Sequence, residues 1–227
     1  MRARTLGTLT IGQAPRPDVV PIIDRHVRPE IRRIHRGALD GLTRAEIATR
    51  YEADPDEPAL ITRLQDGTSV NLSRRRMQAA VQQKLSLLES DGCDVIVLLC
   101  TGTFGALECR RAWLIEPDHI IPGMVAGLVE RRQIGILVPI PGQIVSEAEK
   151  WRPLARSPLF AAASPYDTDE EAVLDAGRTL QAKGAEAILL DCIGFTERHR
   201  AALGRLGPPI ILSNAIVAKA VAELLDG

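Results

Sequence analysis

Two stretches of the chain, offset by 92 residues, carry one pattern. Gly92-Cys93-Asp94-Val95-Ile96-Val97-Leu98-Leu99-Cys100-Thr101-Gly102 lies over Gly184-Ala185-Glu186-Ala187-Ile188-Leu189-Leu190-Asp191-Cys192-Ile193-Gly194. Each reads as a glycine that ends a helix, an acidic residue, a continuous apolar run, a cysteine, and a glycine two residues later. A short apolar run without alternation suits a strand buried on both faces, the strand of a parallel sheet covered by helices. Ligands in such sheets sit beyond the carboxyl ends of the strands. Both Cys100 and Cys192 fall there.

The rest of the chain keeps the same rhythm. Thr5 to Ile11 is a short β-rich run ending at Gly12, followed by Gln13-Ala14-Pro15-Arg16-Pro17, where two prolines forbid helix until about Asp18, an expected N-cap. Ile31 to Ile34 is a weaker strand, and 52–58 an acidic surface loop. Leu60 to Gln65 and Thr68 to Leu72 flank Asp66-Gly67, a hairpin signal with positive φ expected at both turn residues. From Arg74 to Ser90, Met77, Ala80, Val81, Leu85 and Leu88 share one helical face. Gln133 to Val138, Leu159 to Ala162, Ala187 to Leu190 and Pro209 to Leu212 read as strands. A helix is expected from about Ile144, another from Thr168 or Asp169 to Lys183, and a last one capped by Ser213-Asn214. The fold class is α/β, with mainly parallel sheets in two lobes: 1–115 with 208–227, and 116–207.

Composition removes several functions. The 227 residues carry a net charge of −1 and only 3% aromatic side chains, which suits neither nucleic-acid nor membrane binding. No apolar run reaches the roughly 20 residues of a membrane span, and the N-terminal apolar run is too short for a signal-peptide core. The four cysteines, at 93, 100, 109 and 192, have neither CxxC spacing nor finger-like histidines. The expected setting is therefore cytoplasmic, with reduced thiols and no structural metal.

Cys100 and Cys192 are the catalytic candidates. A lone cysteine after a buried strand often serves as a small core residue. Two at the same place in a repeated unit, each followed by a turn containing glycine, point instead to paired chemistry. A thiol needs a helix N-terminus or a hydroxyl donor to ionise near neutral pH, and a helix is expected to start after each cysteine. Backbone N–H groups of Thr101, Gly102 and Thr103, and of Gly194, Phe195 and Thr196, are candidates for binding a carboxylate. Glycines 102 and 194 would let backbone approach a ligand. The threonines serve equally as helix caps. Gly12, Gln13 and Arg16 follow the first strand and Pro139 the strand 133–138, so all four belong to the same rim; Arg16 is read equally as solvated. Arg74 begins a helix, where a cation opposes the dipole; it is either an anion contact or part of an exposed basic turn. His199 is expected at the surface.

Leu9-Thr10-Ile11-Gly12-Gln13-Ala14-Pro15-Arg16, Ser73-Arg74-Arg75, Leu190-Asp191-Cys192-Ile193-Gly194-Phe195, Arg198-His199-Arg200 and Leu212-Ser213-Asn214 together resemble the AroM family. That family is similar to the aspartate/glutamate racemase superfamily, which includes hydantoin racemases, maleate isomerases and arylmalonate decarboxylases. The resemblance implies two pseudo-symmetric flavodoxin-like lobes with an active-site cleft between them. It also implies chemistry without a cofactor or metal, on an amino acid or related small carboxylate, and it is compatible with a homodimer.

Three functions follow as expectations. The first is a racemase or isomerase that moves a proton between Cys100 and Cys192 at the carbon α to a carboxylate. The second is a single-cysteine decarboxylase or isomerase, and the third a non-catalytic small-molecule-binding or regulatory protein of the same fold. No GxGxxG or P-loop opens a helix, which disfavours nucleotide binding.

Overall fold

The repeated pattern has a physical cause that the computed structural model, describing residues 4–167 and 169–226, makes explicit. Gly92 and Gly184 adopt left-handed φ values of +86° and +94°, which a side chain resists. Each closes its helix with the same two bonds. The N–H of Gly92 donates to Glu89 at 3.0 Å and that of Cys93 to Leu88 at 3.1 Å, and those of Gly184 and Ala185 donate to Gln181 and Leu180 at 2.9 and 3.0 Å. This is the Schellman arrangement, which satisfies the last helical carbonyls. The acidic residue also keeps one role. A carboxylate oxygen of Asp94 accepts the N–H of Thr5 at 2.8 Å, and one of Glu186 accepts that of Gln133 at 2.8 Å. Each thereby ties the start of its own strand to the start of a neighbouring one.

The elements run β1 (Thr5–Thr10), α1 (Val20–Asp24), β2 (Arg32–Gly37), α2 (Arg44–Tyr51), β3 (Ala59–Arg63), β4 (Ser69–Ser73), α3 (Arg74–Ser90), β5 (Val95–Leu99) and β6 (Trp113–Ile115). Then come α4 (Pro117–Val129), β7 (Ile134–Val138), α5 (Gln143–Ser146), a 3-10 turn (Ala148–Trp151), β8 (Leu159–Ala162), α6 (Glu171–Ala182), β9 (Ala187–Leu190), α7 (Glu197–Gly204), β10 (Ile210–Leu212) and α8 (Ser213–Leu225). Two four-stranded parallel sheets form, in the orders β2-β1-β5-β6 and β8-β7-β9-β10. Counted within each sheet, both orders read 2-1-3-4, the flavodoxin-like sequence, whose switch point lies between the first and third strands. β5 and β9, the strands that precede Cys100 and Cys192, are therefore topological equivalents.

The chain divides into one unit of residues 1–100, 104–117 and 218–227, and another of 101–103 and 118–217. β10 hydrogen-bonds to β9, so 208–212 belongs with the second sheet and not with the first lobe as the sequence suggested. Sheet pairing, which propensity does not reveal, decides this.

α3 buries the face its periodicity predicts: Met77, Val81, Leu85 and Leu88 are fully buried and Ala80 nearly so. Each large aliphatic side chain there contributes roughly 1.5–3 kcal/mol. The Ser73 hydroxyl caps the helix by accepting the N–H of Arg76 at 3.2 Å. The β3–β4 hairpin also forms, with different turn chemistry. Gly67 alone has positive φ, +87°. Its N–H donates to Leu64 while Leu64 N–H donates to Thr68, which makes a three-residue loop with a glycine bulge.

Other expectations are corrected. α1 begins at Val20 without a side-chain cap, because the Asp18 carboxylate is held by Arg16. α2 was not anticipated, although Thr43 and Glu46 form a capping box, with Thr43 N–H on Glu46 at 2.8 Å and Glu46 N–H on Thr43 at 3.3 Å. The helix expected from Ile144 is only four residues long. α6 starts at Glu171, whose N–H is accepted by Asp169 at 2.9 Å; Thr168 lies outside the described residues. Among the described residues, no helix is long and apolar enough to cross a membrane.

Candidate functional site

In the first unit, the segment after β1 is stitched to the chain after β2. Leu39 N–H donates to Gly12 at 3.0 Å, and the Asp40 carboxylate accepts both Ala14 N–H at 2.8 Å and Gly37 N–H at 2.6 Å. Gln13 is a brace. Its amide donates to Leu42 at 3.0 Å, and its carbonyl oxygen accepts Gln65 N–H at 3.0 Å. A Cβ on Gly12 would come within 2.5 Å of the Thr62 hydroxyl and 2.7 Å of the Arg63 carbonyl, so this glycine admits the β3–β4 hairpin. Arg16, expected in solvent or on a ligand, is 4% exposed. It grips Asp18 through two bonds of 2.8 and 2.6 Å, a bidentate, charge-assisted pairing.

Gln13, Arg16, Asp18, Arg63 and Gln65 border a cavity of about 450 Å³. Arg74 lines a different one, of about 650 Å³, with Glu57, Arg75 and Gln78. The structure thus groups Gln13 with Arg16 and sets Arg74 apart from them.

No helix follows Cys100. The chain runs irregularly from 101 to 112 before β6, and α3 satisfies much of its backbone. Gln78 accepts Gly105 N–H at 3.1 Å and donates to Ala106 at 3.2 Å; Gln82 does the same for Glu108 at 2.9 and 2.8 Å. One Glu89 oxygen accepts the N–H groups of Arg111 and Ala112 at 2.7 and 3.0 Å. With these bonds made by side chains, the segment gains little from helix, and its glycines resist one. Cys100 is 7% exposed and packs in the apolar core of its unit with Leu98, Phe104 and Leu107.

In the second unit, Cys192 opens a tight turn. Gly194 N–H points at its sulfur at 3.4 Å, and Phe195 N–H donates to its carbonyl at 3.2 Å. Thr196 precedes α7. Its N–H donates to His199 Nδ1 at 2.9 Å, so Nδ1 carries no proton. His199, expected at the surface, is 7% exposed, and burial lowers its pKa. Phe195 is fully buried and meets the imidazole edge-on at 5.4 Å, so its ring packs inside the unit. A Cβ on Gly194 would fall 2.5–2.6 Å from the Tyr166 ring; that close approach is to tyrosine. Ser213 and Asn214, read as caps, instead secure this turn. Ser213 donates to Leu190 at 2.7 Å, and Asn214 to Ile193 and Phe195 at 3.0 and 2.6 Å.

Thr101–Thr103, the residues after Cys100, group with this second unit and meet a buried ionic cluster that sequence reasoning missed. Lys150 Nζ lies 2.6 Å from Asp191 Oδ2 and 3.9 Å from Glu147, and donates to the Thr101 carbonyl at 3.0 Å. The side chains of Lys150, Asp191 and Glu147 are 8%, 1% and 1% exposed. Thr101 Oγ1 donates to the Asp191 carbonyl at 3.2 Å, and Thr103 reaches Glu147 through its N–H at 3.4 Å and hydroxyl at 3.3 Å. Burial pushes the Asp118 carboxyl up, against the pull of His119, Lys150 and a hydrogen bond from Thr103. The second oxygen of Asp191 is buried with no hydrogen-bond partner among the described residues. Asp191 stood inside the repeated motif and Glu147 stands three residues before Lys150, but no local spacing joins that pair to 118 or 191. Pro139 follows β7 and is buried.

Several solved structures share this fold. Allantoin racemase from Klebsiella pneumoniae is 14% identical, with a TM-score of 0.67 over 99% of this chain and 88% of that one. Aspartate racemase from Picrophilus torridus is 12% identical, with a TM-score of 0.60 over 98% and 94%. Maleate isomerase from Pseudomonas putida is 9% identical, with a TM-score of 0.65 over 99% and 94%. At these identities the likeness concerns the fold. Among curated protein sequences, none matches this chain. The model of the family described as AroM protein matches residues 6–225, nearly the whole length, and the chain belongs to the AroM family.

Proposed function

We propose that this protein is a racemase or isomerase acting, without a cofactor, at the carbon α to a carboxylate, with Cys100 and Cys192 as its proton-transfer groups. The observation that carries the reading is their matched placement: Cys100 directly follows, and Cys192 lies two residues beyond, the third strand of a sheet ordered 2-1-3-4, beside the switch point where such sheets bind ligands. The racemases and the isomerase of the same fold support the reaction class. In the proposed reaction one thiolate takes the α-proton, leaving an enolate-like carbanion, and the other thiol returns a proton to the opposite face, so no atom is gained or lost. The amide N–H of Gly194, which faces the Cys192 sulfur at 3.4 Å, is the donor nearest the thiol as charge develops on the substrate. Amino acids, ureido acids and other small carboxylates are the substrates to try.

The test is incubation with such acids in heavy water, followed by proton NMR of the α-position. The wild type should exchange the α-proton of at least one acid, and Cys100→Ser or Cys192→Ser should abolish turnover. Exchange that survives both substitutions refutes the two-thiol reaction. A second reading, a single-cysteine decarboxylase or isomerase relying on Cys192, is favoured by one asymmetry. Cys192 has an amide N–H aimed at its sulfur and α7 five residues on, whereas the chain after Cys100 runs without helix to β6. In that case only Cys192→Ser abolishes activity.

A further inference from the structure

We infer that Lys150 is a positioning residue for the reaction proposed above, its one ammonium group fixing both the turn that follows Cys100 and the turn that carries Cys192. The inference rests on that reading for its reaction but on independent geometry for its structural content. Lys150 Nζ touches the two residues that flank the cysteines in the chain: the carbonyl of Thr101, one residue after Cys100, at 3.0 Å, and the carboxylate of Asp191, one residue before Cys192, at 2.6 Å. Thr101 closes the loop, its hydroxyl donating to the Asp191 carbonyl at 3.2 Å. Two groups on segments 90 residues apart are thereby joined through one side chain, and the Thr101 hydroxyl adds a direct bond between them.

The lysine is itself held. Glu147 lies on its other side at 3.9 Å, and the Trp151 ring centroid is 5.1 Å from Nζ. Trp151 is 2% exposed, so the ammonium has a packed wall and little room to swing. A buried charge is retained only where its partners compensate its desolvation. Lys150 is compensated by Asp191, Glu147 and a backbone carbonyl, and the last of these ties its electrostatics to the path of the main chain. Cysteines that must meet one substrate carbon need placement to a fraction of an ångström, since a misplacement of about 1 Å can cost roughly 100-fold in rate.

The experiment compares wild type, Lys150→Met and Lys150→Met/Asp191→Asn. Removing the ammonium alone leaves the Asp191 carboxylate buried without its 2.6 Å partner and lowers stability; the double variant removes that ion pair with little change of shape, while Glu147 keeps its contacts to Thr103, and is expected to recover most of the loss. Two readouts follow. In amide hydrogen exchange, segments 101–103 and 192–196 should lose protection together in both variants, while the β3–β4 hairpin keeps its own. In turnover, kcat should fall roughly 10- to 100-fold in the double variant, with KM within about twofold of wild type. Unchanged protection in either turn overturns the inference whatever the turnover shows. A double variant that regains both stability and wild-type kcat overturns it as well, since Lys150 would then serve stability alone. If the wild type exchanges no α-proton but both turns lose protection, the proposed reaction fails and the positioning of the two turns by Lys150 stands.

Discussion

Gly194→Ala is a sharp test of how the Cys192 turn is built. An ideal Cβ at 194 meets three atoms of Tyr166, Oη at 2.5 Å and Cε1 and Cζ at 2.6 Å. Ordinary contact begins at 3.4 Å, so the ring must retreat by roughly 0.8–0.9 Å or the turn must move by as much. Overpacking of this kind costs about 1–3 kcal/mol. Taking about 2 kcal/mol, the thermal midpoint of a chain this size should fall by roughly 4–8 °C. The cause is identified by a double-mutant cycle. Tyr166→Leu removes all three clashing atoms, so Gly194→Ala should cost at least about 1 kcal/mol less in that background than in the native one. Urea titrations of the four proteins supply the numbers. The same shift would disturb the 3.4 Å approach of Gly194 N–H to the Cys192 sulfur, which alkylation of Cys192 followed by mass spectrometry reads separately. An equal penalty with and without the tyrosine ring would refute the steric reasoning, and a neutral Gly194→Ala would refute the placement of Tyr166.

Two further outcomes are expected. Burial lowers the pKa values of both His35 and His199, so the folded state binds fewer protons than the unfolded state near the ordinary value of about 6.5. Their contribution is complete above that value and lost as the pH falls through their depressed folded pKa values. Urea midpoints should drop between about pH 7 and pH 5, and the double substitution His35→Gln/His199→Gln should flatten that slope; an unchanged slope would count against both assignments. For the thiols, burial raises Cys93 and Cys109 from 9.0 to about 11, roughly a hundredfold loss of thiolate at any pH below both values. Iodoacetamide at pH 8 should leave these two unmodified in the folded protein, and rapid labelling of either would show that its burial is misjudged.

Much of the fold is legible in local sequence because its causes are local. The 3.6-residue recurrence of Met77, Ala80, Val81, Leu85 and Leu88 selects one face of α3, and that face is buried. Gly92 and Gly184 stop their helices because left-handed φ is open to glycine without steric penalty. The apolar runs at 95–99 and 187–190 are strands covered on both faces. Features whose partners come from far along the chain were read less well. The glycines after Cys100 only disfavour a helix; Gln78, Gln82 and Glu89 of α3 exclude it by taking up the backbone bonds of 105–112. His199 looks like a surface residue among charged neighbours, yet Phe195 and the N–H of Thr196 draw it inward.

The candidate site divides along the same line. By itself the amino-acid sequence determined that two cysteines would end equivalent buried strands, because strand, acidic residue, glycine and cysteine recur in one order and each has a short-range role. It could not reveal Asp191 as the partner of Lys150, or show that Gln13 and Arg16 are engaged by the protein's own backbone and by Asp18. An ion pair buried between segments 41 residues apart leaves no periodicity; it exists because desolvated charges must find compensation wherever the chain returns. Tertiary structure decided those contacts.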